Sequence, residues 1–114
     1  MTDLILTDNQ DGVLVVTLNR PAKKNAINTQ MWIGLRDTCR AAAVNDAVVC
    51  VLLCGAGEHF CSGVDLASFG DVGSGEEHPF ESAARAVVEF DKPLVAAAQG
   101  VAIGGGATVL FHAD

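Results

Sequence analysis

The sequence predicts an α/β domain built around a parallel sheet, and three observations lead there. Segments rich in β-branched and apolar residues alternate with segments of helical period along the 114 residues, in the order hairpin, helix, strand, loop, helix, strand. That order calls for right-handed crossovers between parallel strands. "VVCVLLC", residues 48 to 54, is apolar at every position, as expected of a strand covered on both faces. Finally, each strand after the hairpin runs into a glycine-bearing turn, first "GAGEHFCSGVD" and then "GVAIGGGATVL".

The elements follow in order. "LILTD" and "VLVVTLN" read as two strands, and the Asp11-Gly12 step between them supplies the positive φ of a tight hairpin. Asn28 or Thr29 is placed to cap a helix whose apolar positions, Met31, Leu35, Cys39 and Ala42, recur at helical spacing to about Val44. After the strand at 48 to 54 comes a long stretch rich in glycine and acids, expected to be a loop with one short helical turn around Asp65 to Ser68. "ESAARAVVEF" has the composition of a short helix. "KPLVAAAQG" then reads as a buried strand with Pro93 at its start, where a missing N–H is tolerated. No repeat or linker divides the chain, so residues 1–114 read as one unit.

Half the residues are apolar and the net charge is -7. An acidic balance argues against a nucleic-acid or anionic-membrane surface. No run approaches the roughly 20 apolar residues of a membrane span, and the N-terminus lacks a basic-then-apolar leader, which leads to the expectation of an unprocessed cytoplasmic chain. Cys39, Cys50, Cys54 and Cys61 lack paired C-x-x-C spacing and are expected as core thiols, with no metal site. Arg20, Lys23 and Lys24 gather three of the seven Lys and Arg residues within five positions. They are either a solvated loop or a local anion site.

In an open α/β sheet, ligands collect beyond the carboxyl ends of the strands, which makes both glycine turns candidates for one site. Neither "GAGEHF" nor "GGGATV" completes the G-x-G-x-x-G pattern of a dinucleotide site, and no Gly-Lys-Ser/Thr of a phosphate loop occurs. The glycines either let a helix pack close to the sheet or let backbone N–H groups approach a ligand, and two such groups facing each other would form an oxyanion hole.

"TLNRPAKKNAI" (residues 17 to 27), "GAGEHFCSGVDL" (55 to 66) and "KPLVAAAQGVAIGGGATVL" (92 to 110) resemble, in order and spacing, three signatures of the crotonase family, the enoyl-CoA hydratases and isomerases. The resemblance implies a crotonase-like (ββα-repeat) fold, of which this chain carries the N-terminal half only. It implies an acyl-CoA thioester as substrate, with coenzyme A as part of the substrate and no separate cofactor. The backbone N–H groups of Val64 and Gly105 would hold the thioester oxygen as an enolate develops, and Lys23, Lys24, Ala26, Ser62, Asp65 and Leu66 would contact the CoA moiety. It further implies a homo-oligomer formed through C-terminal helices, or a swapped assembly if the chain is truncated.

The chain departs from the family at one functional position. Hydratases of this family carry a glutamate three residues after the middle glycine, where this chain has Thr108, and a second glutamate that would fall past Asp114. Thr108 tilts the expectation toward isomerase-type or altered chemistry, since hydration needs two carboxyl groups near the reacting carbons. A non-catalytic module that binds CoA or a protein is the alternative. His59 and His112 read as structural, Asp65 as the cap of a short helix, and Asp71 as a residue that could line the acyl pocket.

Overall fold

The computed structural model describes residues 4–62 and 79–98. Four strands form one sheet in the order β1 (Ile5–Gln10), β2 (Val13–Leu18), β3 (Cys50–Gly55), β4 (Leu94–Ala97). The first pair is antiparallel, and β2, β3 and β4 run parallel to one another. Helix α1 (Thr29–Ala43) joins β2 to β3, and α2 (Pro79–Glu89) precedes β4. This is the expected α/β order.

The hairpin turns on Asp11 and Gly12, with φ of 53° and 95°. Both central residues of such a turn need positive φ, and Asx-Gly meets that need at low cost. Asn9 locks the turn by accepting the Gly12 N–H on its side-chain oxygen at 2.9 Å. The pairing Gln10↔Val13 and Ile5↔Leu18 then fixes the register along the whole ribbon. Helix α1 begins where expected: the Asn28 side chain accepts the Met31 N–H at 2.9 Å, the Ncap bond that satisfies one orphan donor of the first turn.

The period-two alternation of β2, β3 and β4 sends Val16, Leu18, Val51, Leu53 and Leu94 to one face. There they meet Met31, Trp32, Leu35, Cys39 and Ala42 of α1 and Ala83, Ala86 and Val87 of α2 in one buried cluster. Each fully buried aliphatic side chain of this kind contributes about 1.5–3 kcal/mol. The two helices pack against each other.

The all-apolar segment at 48 to 54 behaves differently from the reading as a strand covered on both faces. Val48 is buried but precedes the strand, its N–H held by the Asn45 carbonyl. Within β3, Val51 and Leu53 are buried while Cys50, Leu52 and Cys54 are half-buried. The second face of the sheet carries Leu6 and Val95, exposed by 40% and 47%. Cys54 lies on this face, its Sγ 3.4 Å from the Thr17 hydroxyl. None of the four cysteines is in a disulfide, and only Cys39 and Cys61 are buried, so the expectation of core thiols holds for two of them.

Lys92 closes the helical layer against the sheet. Its ammonium donates to the carbonyls of Ala42, Asn45 and Val48, each at 2.8 Å. These carbonyls belong to the last turn of α1 and the link into β3, where the helix dipole is negative and a cation is stabilising.

Candidate functional site

Because β2 and β3 are parallel neighbours in the register Leu18↔Gly55, the segments that follow them leave the sheet side by side. The Ala56 N–H donates to the Leu18 carbonyl at 2.8 Å, carrying the pairing one step past the strands. Beyond this point lie the lysine-bearing segment 20–26 and the glycine-bearing segment 55–62.

Pro21–Lys23 form one turn of 3₁₀ helix, with proline at the start where its missing N–H is harmless. The turn is closed by two residues in succession with left-handed backbone, Lys24 at φ 51° and Asn25 at φ 58°. Such a pair is sterically unfavourable without glycine and persists only where the surroundings enforce it. The enforcing contacts come from Asn25, which is 0% exposed. Its Oδ1 accepts the Arg20 N–H at 2.8 Å, and its Nδ2 donates to the carbonyls of Ala56 at 2.9 Å and His59 at 2.7 Å. The Asn25 N–H donates to the Arg20 carbonyl, and the Arg20 guanidinium donates to the Ala26 carbonyl at 3.1 Å.

Gly55 makes room for this arrangement. A Cβ on it would lie 2.5 Å from the His59 oxygen, 2.6 Å from the Phe60 oxygen and 2.9 Å from Asn25 Nδ2. The glycine is therefore demanded by close approach.

Ser62 completes the junction. Its N–H donates to the Lys24 carbonyl at 2.9 Å and its hydroxyl to the Lys23 carbonyl at 3.0 Å. Four of the residues singled out from the sequence are thus brought together: Lys23, Lys24, Ala26 and Ser62 share one hydrogen-bonded junction. The two lysine side chains are exposed, Ala26 and Ser62 are half-buried, and Phe60 and Cys61 are buried beneath. Two exposed ammonium groups on a fixed backbone can meet a polyanion while remaining solvated. Val64, Asp65, Leu66 and Gly105 lie outside the described residues, as do Asp71, Thr108, His112 and the short helical turn expected at 65 to 68. Among the described residues no cluster of three or more His, Cys, Asp or Glu could hold a metal ion, and no helix is long and apolar enough to cross a membrane.

Sequence reasoning passed over Asn25. The available signal was an Asn between a Pro-Ala-Lys-Lys turn and an apolar residue, since Asn accepts left-handed backbone more readily than other non-glycine residues.

The sequence profile described as Enoyl-CoA hydratase/isomerase matches residues 8–114. The chain belongs to the enoyl-CoA hydratase/isomerase family. It is 34% identical to 1,2-epoxyphenylacetyl-CoA isomerase of Escherichia coli over 100% of this chain and 47% of that protein. It is 34% identical to human enoyl-CoA delta isomerase 2 over 95% of this chain and 29% of that protein. The solved enoyl-CoA hydratase/isomerase of Pseudoalteromonas atlantica superposes with a TM-score of 0.91 at 32% identity, covering 98% of this chain and 45% of that one. The fold is crotonase-like, and the chain spans about half the length, or less, of these family members.

Proposed function

We propose that this chain contributes the thioester-binding half of an acyl-CoA enzyme of the enoyl-CoA hydratase/isomerase type. The observation that carries the reading is the junction in which Ser62 binds the backbone of Lys23 and Lys24, set in a chain whose family match runs over residues 8–114. Relatives named for CoA thioesters and enoyl-CoA support the substrate class. In this reading Lys23 and Lys24 meet the phosphates of CoA, and Ala26, Ser62, Asp65 and Leu66 line its path. The N–H groups of Val64 and Gly105 stabilise negative charge as it develops on the thioester oxygen. Each such donor lowers the barrier by about 3–4 kcal/mol. CoA enters as part of the substrate, and the assembled protein is a cytoplasmic homo-oligomer.

Calorimetry with an acyl-CoA, run beside hydration and isomerisation assays on an enoyl-CoA, tests the proposal. Binding is expected, weakened by Lys23→Ala with Lys24→Ala and abolished by a bulky residue at Gly105. Absence of binding overturns it. A second reading, a module that binds CoA without turnover, is favoured by Thr108 standing where hydratases of this family carry a glutamate. Binding with neither hydration nor isomerisation selects that reading.

A further inference from the structure

We propose that Asn25 is the positioning residue of this site, its buried amide holding the lysine turn and the segment from Gly55 to Ser62 in one fixed relation. The inference rests on the acyl-CoA reading for its functional consequence, while the clamp itself stands on geometry.

Three observations converge on it. Asn25 is wholly buried, a polar side chain set between the exposed turn at 21–24 and the segment 55–62, whose Phe60 and Cys61 belong to the apolar cluster. Its amide uses both Nδ2 hydrogens and an Oδ1 lone pair, and both acceptors of Nδ2 are carbonyls of the facing segment, 31 and 34 residues away. The backbone at Lys24 and Asn25 is left-handed, and this orientation presents the Lys23 and Lys24 carbonyls to Ser62. Without the clamp, the turn would relax toward right-handed backbone and both Ser62 bonds would lose their acceptors. Ser62 stands two residues before Val64, so the clamp links the phosphate-facing lysines to the chain that carries a proposed thioester donor.

The chemistry of the site requires an amide. A carboxylate would turn an acceptor toward the His59 and Ala56 carbonyls, whereas a protonated acid could donate to one of them while still accepting from Arg20. The Asn25→Asp variant should therefore be repaired in part by acid. Titratable groups near it are Arg20, Lys23 and Lys24 on its own segment and Glu58 and His59 on the facing one; the wild type carries all five, so each measurement is referred to wild type at the same pH.

The test uses the full 114-residue chain, with coenzyme A as the probe by calorimetry and hydrogen exchange at the Ser62 amide. At about pH 8, Asn25→Asp is expected to raise Ser62 exchange and weaken coenzyme A binding by about tenfold or more each, the effect of losing both Nδ2 hydrogen bonds. At about pH 5 both should return toward wild type, because a desolvated carboxyl facing carbonyls holds its proton above the usual range. Lys92→Met, which removes an unrelated tether, should leave both within about twofold. If Asn25→Asp matches wild type, shows no pH recovery, or loses protection only as Lys92→Met does, the positioning role is overturned. If Asn25→Asp does not fold, Asn25→Gly, which accepts left-handed backbone and removes the amide, carries the same exchange and affinity expectations. If wild type does not bind coenzyme A, the acyl-CoA reading and the functional consequence fall together, and Ser62 exchange alone decides whether the clamp exists.

Discussion

Gly55→Ala is the sharpest perturbation the junction offers. The new methyl would sit 2.5 Å and 2.6 Å from the carbonyl oxygens of His59 and Phe60, well inside the 3.4 Å at which ordinary contact begins. Both obstacles are backbone, so the segment must withdraw by roughly 1 Å, since contact energies rise steeply at such overlap. That withdrawal carries the His59 oxygen beyond bonding distance of Asn25 Nδ2, now 2.7 Å away. Overpacking costs about 1–3 kcal/mol, a buried donor left without its acceptor about 1–3 kcal/mol, and the stiffer unfolded chain returns about 0.5–1 kcal/mol. The net loss is about 1–5 kcal/mol, a large share of the roughly 5–15 kcal/mol that holds a domain of this size. Trp32, the single tryptophan and buried in α1, reports unfolding by fluorescence in urea. With a slope of about 2 kcal/mol per molar, the midpoint should fall by about 0.5–2.5 M. A midpoint within about 0.3 M of wild type would refute the steric reasoning. So would strict additivity with Asn25→Ala, because the two residues share a contact and their losses should overlap.

Two further outcomes are expected. Lys92→Met removes a cation from three carbonyls at the end of α1 and should cost about 2 kcal/mol, lowering Tm by about 10 °C in a thermal melt; a change under about 2 °C would show that water replaces the ammonium without loss. Burial pushes the Cys39 thiol from 9.0 up to about 11. A raised acid keeps its proton longer in the folded than in the unfolded chain, so its stabilisation is complete below pH 9 and disappears as pH climbs through about 11. The loss amounts to about 3 kcal/mol over that window. Cys39→Ala should flatten the fall of stability between pH 9 and about 11 that urea titrations measure, and in the native protein Cys39 should alkylate far more slowly than half-buried Cys50; equal rates would contradict the burial argument.

What could be read from the sequence was local. Asp11-Gly12 and Asn28 act on residues two or three positions away, and both behave as their chemistry dictates. The 3.6-residue spacing of Met31, Leu35, Cys39 and Ala42 places them all in the core. Of the site, the lysines, Ala26 and Ser62 were named from family resemblance, and they do meet at one junction. Asn25 and Lys92 were not legible because every acceptor that gives them a role, apart from their own turn, lies more than 30 residues away. Periodicity also failed at residues 48 to 54: a run without polar residues carries no mark of where a turn ends and a strand begins, nor of which face the helices cover. Val48 and Val49, which precede the strand, with Val49 exposed by 67%, and half-buried Leu52 are the residues on which that reading erred.

The Asn25 amide has one more consequence, for how the protein ages. An asparagine decays when the next backbone nitrogen attacks its carboxamide carbon and ammonia leaves, closing a succinimide ring that water then opens to aspartate or isoaspartate. Here the nitrogen of Ala26 is committed to the Lys23 carbonyl at 3.0 Å, and the carboxamide is tethered through both its oxygen and its nitrogen. Neither partner can swing into the geometry of attack while the junction is closed, so the contacts that shape this corner also keep time from rewriting it.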